Sequence, residues 1–131
     1  MNLSVYFKSV VDSDIMPVVI CNTSHEIIYM NPAAVKRYAK RGGASLIGSS
    51  LLDCHNDVSN KKIIEVLEWF GSSAENNRIF TFHNSKENKD VYMIALRDTS
   101  GELIGYYEKH ELRNPEISQP YNDICHQEND I

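Results

Sequence analysis

The chain has 131 residues, 42% of them hydrophobic, which suits one domain with a core of its own and no need of metal or disulfide support. A formal net charge of −5, a sequence pI near 5.5 and basic residues scattered except at Lys36-Arg37 and Lys40-Arg41 argue against nucleic-acid phosphates or anionic lipid as partners. Cys21, Cys54 and Cys125 are odd in number, far apart and without C-x-x-C spacing, so they read as reduced thiols of a cytoplasmic protein and not as a zinc site. No basic, apolar leader opens the chain, and no run approaches the roughly 18 apolar residues that span a bilayer. The expectation is a soluble, unprocessed protein.

In chain order, Leu3, Tyr6, Phe7, Val10 and Val11 share one helical face, so residues 1–13 form an amphipathic helix ahead of the main fold. Its apolar stripe has to be covered, by the same chain or by a second copy. Pro17 ends this segment. Val18 to Cys21 and Ile27 to Met30 are short apolar runs separated by the turn-forming Asn22-Thr23-Ser24-His25-Glu26, a hairpin pattern. Asn31-Pro32 then starts a helix, with Asn31 as N-cap and Pro32 at the first position, where its missing N–H costs nothing. That helix is expected to end at Gly42-Gly43, with Ala34, Val35, Tyr38 and Ala39 inward and the basic residues solvated near its C-terminus.

The stretch from Leu46 to Phe70 holds the most chemistry. A turn at Gly48 and the apolar pair Leu51-Leu52 lead into Asp53, Cys54, His55, Asn56 and Asp57, immediately before a helix on which Ile63, Val66, Leu67 and Phe70 recur at i, i+3, i+4 and i+7. Asn56 or Asp57 is the N-cap, and Gly71 is read as the stop. A helix entrance leaves N–H groups unpaired and lowers a nearby thiol pKa, so Cys54 and His55 stand where chemistry is feasible. The structural alternative is burial for Cys54 and a backbone hydrogen bond for His55. His25, His83 and His110 lie at turns or strand ends and are expected to be exposed. Three extended segments follow, Arg78 to His83, Val91 to Leu96 and Leu103 to Glu108, joined by turns at residues 84–90 and 98–101. Residues 113–131 are polar, carry Pro115 and Pro120, and read as a mobile tail; its Cys125-His126 pair is too small a set for a metal.

The order of elements, together with Ile27-Ile28-Tyr29-Met30-Asn31-Pro32-Ala33-Ala34, the long helix after a glycine turn, and Ala95-Leu96-Arg97-Asp98-Thr99-Ser100-Gly101-Glu102-Leu103-Ile104-Gly105-Tyr106-Tyr107, resembles a PAS domain over residues 12–109. The Gly48 to Ser59 segment is similar to PAS modules that accompany hemerythrin-like domains. The resemblance implies an α+β domain at residues 14–112, with a five-stranded antiparallel sheet and helices on one face. It also implies a sensory, non-enzymatic role, a small molecule or heme held between the long helix and the sheet, a homodimer, and signalling to a separate partner in trans. Its ligand contacts would be His55 and Cys54, with Ile63, Val66, Leu67, Phe70 and Met93 as lining; His55 would be the heme-iron ligand. Two alternatives stay open. One is a ligand-free dimerisation module whose core is filled by Tyr38, Trp69, Tyr92 and Met93; the other is a thiol enzyme or redox switch at Cys54.

Overall fold

A computed structural model describes residues 1–122 of the chain. Its elements are α1 (Leu3–Asp12), β1 (Val19–Asn22), β2 (Ile27–Met30), α2 (Pro32–Arg37), α3 (Asp57–Ser72), β3 (Arg78–Asn84), β4 (Lys89–Arg97) and β5 (Leu103–Leu112). Single 3-10 turns at Ala39–Arg41, Gly43–Leu46 and Leu51–Cys54 connect α2 to α3. The strands form one antiparallel sheet in the order β2-β1-β5-β4-β3, so the first and last strands of the chain meet at its centre. That meeting depends on Gly105. A Cβ there would lie 2.1 Å from the carbonyl oxygen of Cys21, a clash with backbone that no rotamer change relieves.

One face of the sheet is the core. Cys21 and Ala95 sit opposite Tyr106, and Met93 sits opposite Glu108. Onto this face α3 lays Ile63 and Phe70, and α2 lays Ala34. Cys21, Ile27, Met30, Ala34, Ile63, Phe70, Met93 and Tyr106 form the buried cluster, with Val66 and Leu67 packed at its margin. The period of α3 therefore places the residues as its pattern predicts, and Asn56 is its N-cap, accepting from Ser59 N–H at 2.9 Å.

The ends of the helices differ from the sequence reading. The α-helical part of α2 stops at Arg37 and the chain continues as a 3-10 turn to Gly42, whose φ of 125° only glycine adopts without strain. Ala39, expected inward, is exposed because the tighter turn rotates it off the core side. Gly71 does not stop α3, which runs to Ser72. Arg97 from β4 closes the end: its guanidinium donates to the carbonyl of Phe70 in the last turn at 2.7 Å and to those of Ser73 and Asn76 just beyond it at 3.1 and 3.2 Å.

Asn31 joins three parts of the chain. Fully buried, its Oδ1 accepts from the N–H groups of Val18 and Ala34 at 2.8 and 2.9 Å, and its Nδ2 donates to the carbonyls of Val11 and Met16 at 2.9 and 3.1 Å. It caps α2 and holds the end of α1 against the start of β1. The remainder of α1 stands clear: Leu3, Tyr6, Phe7 and Val10 are 53%, 60%, 64% and 69% exposed. At the other end, Arg113 binds Asp90 at 2.5 Å and the Tyr92 hydroxyl at 2.6 Å, which ties the first residue of the predicted tail to the sheet. Residues 114–122 carry no helix or strand, and Cys125 and His126 lie outside the described residues.

Asn31→Ala is expected to lower unfolding stability by about 3 kcal/mol or more, because it strands several buried backbone groups at once. Asn56→Ala, removing an exposed cap, should cost only about 1 kcal/mol. Urea midpoints of the two variants against wild type check the contrast.

Candidate functional site

The core face of the sheet is not filled. A chamber of about 80 Å³ lies among Pro17, Val19, Ile27, Met30, Tyr38, Arg41, Leu46, Leu51, Cys54, His55, Tyr106, Glu108 and His110. Beside it an open groove of about 600 Å³ runs between α3 and the β3–β4 side of the sheet, lined among others by Ile63, Val66, Ile79, Phe82, Lys89 and Met93. Tyr38, His55, Glu108 and His110 border both spaces, so they stand at the junction. Of the four residues that could fill this core, Tyr38 and Met93 line these spaces, whereas Trp69 is 39% exposed and Tyr92 lines neither, stacking on Phe80 and under Arg78.

Each wall follows from its local sequence. The 3-10 turn at Leu51–Cys54 starts on Ser50, whose side chain accepts from Leu52 N–H, and delivers Cys54 and His55 to the mouth of α3. His55 Nδ1 is 3.0 Å from the carbonyl of Leu51. A carbonyl can only accept, so Nδ1 carries the hydrogen and Nε2 is left as an acceptor while the ring is neutral. Cys54 and His55 form no hydrogen bond with each other, so they do not make a nucleophile–base pair; the Cys54 carbonyl instead accepts from Arg41 Nη1 at 3.2 Å. Asn60 donates to the Leu52 carbonyl at 2.8 Å, which fixes the turn on α3, while its buried Oδ1 lacks a partner. Of the residues singled out from sequence, His55 lines both spaces, Cys54 the chamber, and Ile63, Val66 and Met93 the groove. Leu67 and Phe70 line neither and belong to the packed interior.

The polar floor escaped the sequence reading. Strand β5 continues past Glu108 to Leu112, so alternation brings Glu108 and His110 to the core face, opposite Met93 and Val91. His110, expected to be exposed, has a side chain only 7% accessible; its Nε2 is 3.8 Å from Glu108 Oε2 and its Nδ1 has no partner. Burial pushes its pKa down to about 4 and pushes that of Glu108 up, the latter held back by the charges of His55 and Lys89. His25 is also half-buried, its Nδ1 2.8 Å from the Tyr106 hydroxyl, while His83 remains exposed beside Asp90. Lys89 is buried and pairs at 3.1 Å with Glu87, which also takes both arms of Arg37 at 2.8 and 2.9 Å. That network lowers the Glu87 pKa to about 2, Arg37 being the main cause, and pins α2 to the β3–β4 hairpin. Polar residues at alternate positions of an otherwise sheet-forming run were the available signal for Glu108 and His110.

The chamber alone, at about 80 Å³, is too small for heme, and a macrocycle laid over the junction and the groove would cover the Glu108 carboxyl without supplying it a donor.

His110 gives a pH signature. The unfolded imidazole takes up a proton below its ordinary value near 6.5, whereas the folded one waits until about 4. The unfolded chain thus binds more protons between these values, and stability falls as the pH drops through them. Glu108 acts in the opposite sense: its raised pKa means that protonation favours the folded state as the pH falls. His110→Leu should therefore gain on wild type by on the order of 3 kcal/mol between pH 6.5 and 4, with a constant difference above that range. Urea unfolding at a series of pH values measures it.

No family model and no curated protein matches the chain. Solved structures do. A C-terminal domain from Streptococcus mutans superposes with a TM-score of 0.63 at 18% identity, covering 80% of this chain and 81% of that one. The PAS domain of BvgS from Bordetella pertussis gives 0.61 at 14% identity, covering 98% and 94%. The Aer2 receptor of Vibrio cholerae, described as a dual PAS-heme oxygen sensor, gives 0.52 at 21% identity, covering 72% and 90%. With its strand order, its helical layer on one face and its N-terminal helix, this chain has the PAS fold.

Proposed function

We propose that the chain is a non-catalytic sensory module that binds a small molecule in the chamber between the sheet and the Leu51–α3 segment, and that it signals in trans to a separate protein. The observation that carries this reading is the junction of Tyr38, His55, Glu108 and His110. Ionisable side chains face a space inside the domain, and the Glu108 carboxyl has no hydrogen-bond partner among the described residues. The Glu108 carboxyl is partly desolvated, and a ligand that donates to it compensates the water it displaces. The description of the Vibrio cholerae neighbour as a heme oxygen sensor supports sensing as a use of this fold; heme itself is not the ligand favoured by these side chains. A reducing compartment such as the cytoplasm agrees with the free thiols of Cys21 and Cys54.

Self-association through α1 is part of the same proposal. Its apolar stripe touches little of its own domain, and an amphipathic helix face of this kind is stable in water when a second copy covers it. Asn31 and the hydrogen bond from the Tyr29 hydroxyl to Asp12 connect α1 to the strands and the start of α2 beside the chamber, a mechanical route from ligand to interface.

Val19→Phe, which fills the chamber from the β1 side, is expected to abolish thermal-shift responses to small molecules that stabilise wild type and to lose any co-purified molecule seen by native mass spectrometry. Wild type that shows neither response nor co-purified molecule sinks the sensor reading. Phe7→Ser with Val10→Ser should convert a dimer to a monomer in sedimentation while moving the unfolding midpoint little; a dimer that persists removes α1 as the interface. Added hemin should give the same absorption spectrum with wild type and His55→Ala, whereas a Soret shift lost in the variant would restore heme as the ligand.

A further inference from the structure

The chamber's hydrogen-bonding inventory narrows the ligand, granted that the chamber is a ligand site. Its apolar walls are Pro17, Val19, Ile27, Met30, Leu46 and Leu51. Most polar groups around them are already committed. The Tyr106 hydroxyl is engaged with His25, Arg41 with the Cys54 carbonyl, and Lys89 beside the junction with Glu87. His110 Nδ1 is closed off, and its Nε2 faces Glu108 at a distance too long for a normal hydrogen bond. The Glu108 carboxyl, whose side chain is 33% accessible, and the Nε2 of His55 are open acceptors, beside the Cys54 thiol, the Tyr38 hydroxyl and the uncommitted N–H groups of Arg41.

We infer that the chamber takes a small organic ammonium, a protonated primary amine on a short apolar body, with the ammonium on the Glu108 carboxylate. Such a group supplies several N–H donors and the compensating charge in one compact head, and the aliphatic walls cover the rest. The ring of Tyr38, at the same junction, offers a second favourable surface for a cation. Four other cationic side chains stand nearby: Arg41 lines the chamber but is exposed and solvent-screened, Lys89 and Arg37 share Glu87, and Lys62 faces the groove together with Glu65; His55, exposed at the mouth, accepts from the ammonium when its ring is neutral and opposes it when protonated. A chamber of about 80 Å³ restricts the ligand to a small body.

The test titrates short primary alkylammonium ions, the alcohols and carboxylates of the same length, and the α-amino acids with matching side chains into the full chain by calorimetry at neutral pH. Alkylammonium ions should bind, alcohols and carboxylates should not, and Glu108→Gln should weaken the ammonium by at least about tenfold, the equivalent of one charge-assisted hydrogen bond. The amino acids identify the source. Binding stronger than that of the bare amines and lost in Arg41→Gln marks an amino acid, and weaker binding marks a free amine. Alcohols or carboxylates that bind as well as the amines, or a Glu108→Gln variant that binds the amines unchanged, overturn the ammonium assignment. The sensor reading is judged separately: a different class of molecule whose binding is blocked by Val19→Phe leaves that reading standing while the ammonium assignment falls.

Discussion

The carboxamide of Asn31 is the constraint on which the arrangement of this domain depends. It is one of the few side chains that can accept two hydrogen bonds and donate two, and here both ends are used. Its acceptor serves Val18 and Ala34, and its donor serves Val11 and Met16. Three segments are thereby fixed together: the end of α1, the entry to β1 and the first turn of α2. Because the side chain is fully buried, every one of those bonds forms away from competing water, and each supports the geometry of the others.

From that corner the domain builds outward by reciprocal ties. Gly105 lets β1 close against β5, Arg97 gathers the open carbonyls at the end of α3, and Glu87 draws Arg37 and Lys89 to the β3–β4 hairpin. The helical layer is therefore held to the sheet around its perimeter by polar contacts, while the interior between them is left incompletely packed. An apolar core would gain by collapsing into that space. Tyr38, His55, Glu108 and His110 ring it, and carboxyl and imidazole groups do not readily give up their room to methyl groups. The chamber and the polar junction are thus two descriptions of one compromise between packing and desolvation.

Much of this architecture was legible because it is encoded locally. Asn31-Pro32 contains its own cap and helix start. Asp98 accepts from Ser100 and Glu102 N–H groups and Gly101 adopts a φ of 85°, which makes the last hairpin readable from four residues. The spacing of Ile63, Val66, Leu67 and Phe70 fixes the buried side of α3. What was not legible depends on partners far along the chain. Nothing near Gly105 reveals that the Cys21 carbonyl will press on it, and nothing near Arg97 reveals three carbonyls, at the end of α3 and just beyond it, waiting for it. The candidate site was half legible for the same reason. Cys54 and His55 stand out beside a helix start, but Glu108 and His110 become inward-facing only because β5 runs to Leu112, and strand ends are set by pairing with β4 and not by the residues themselves.

The rims of the sheet carry a consequence for how copies of this chain can meet. On the β2 side, Ile27 exchanges backbone hydrogen bonds with Gly48 and Ser49, and Leu51 N–H donates to the His25 carbonyl, so a loop already occupies the ladder that a neighbouring strand would need. On the β3 side, a bulge between Phe80 and Phe82 breaks the register, with the Thr81 hydroxyl turned back onto the Val91 carbonyl, and Arg78 and His83 flank the break. Both borders resist templating by an incoming strand. A sheet otherwise extendable strand by strand is confined to a finite width, which opposes open-ended fibres built edge to edge.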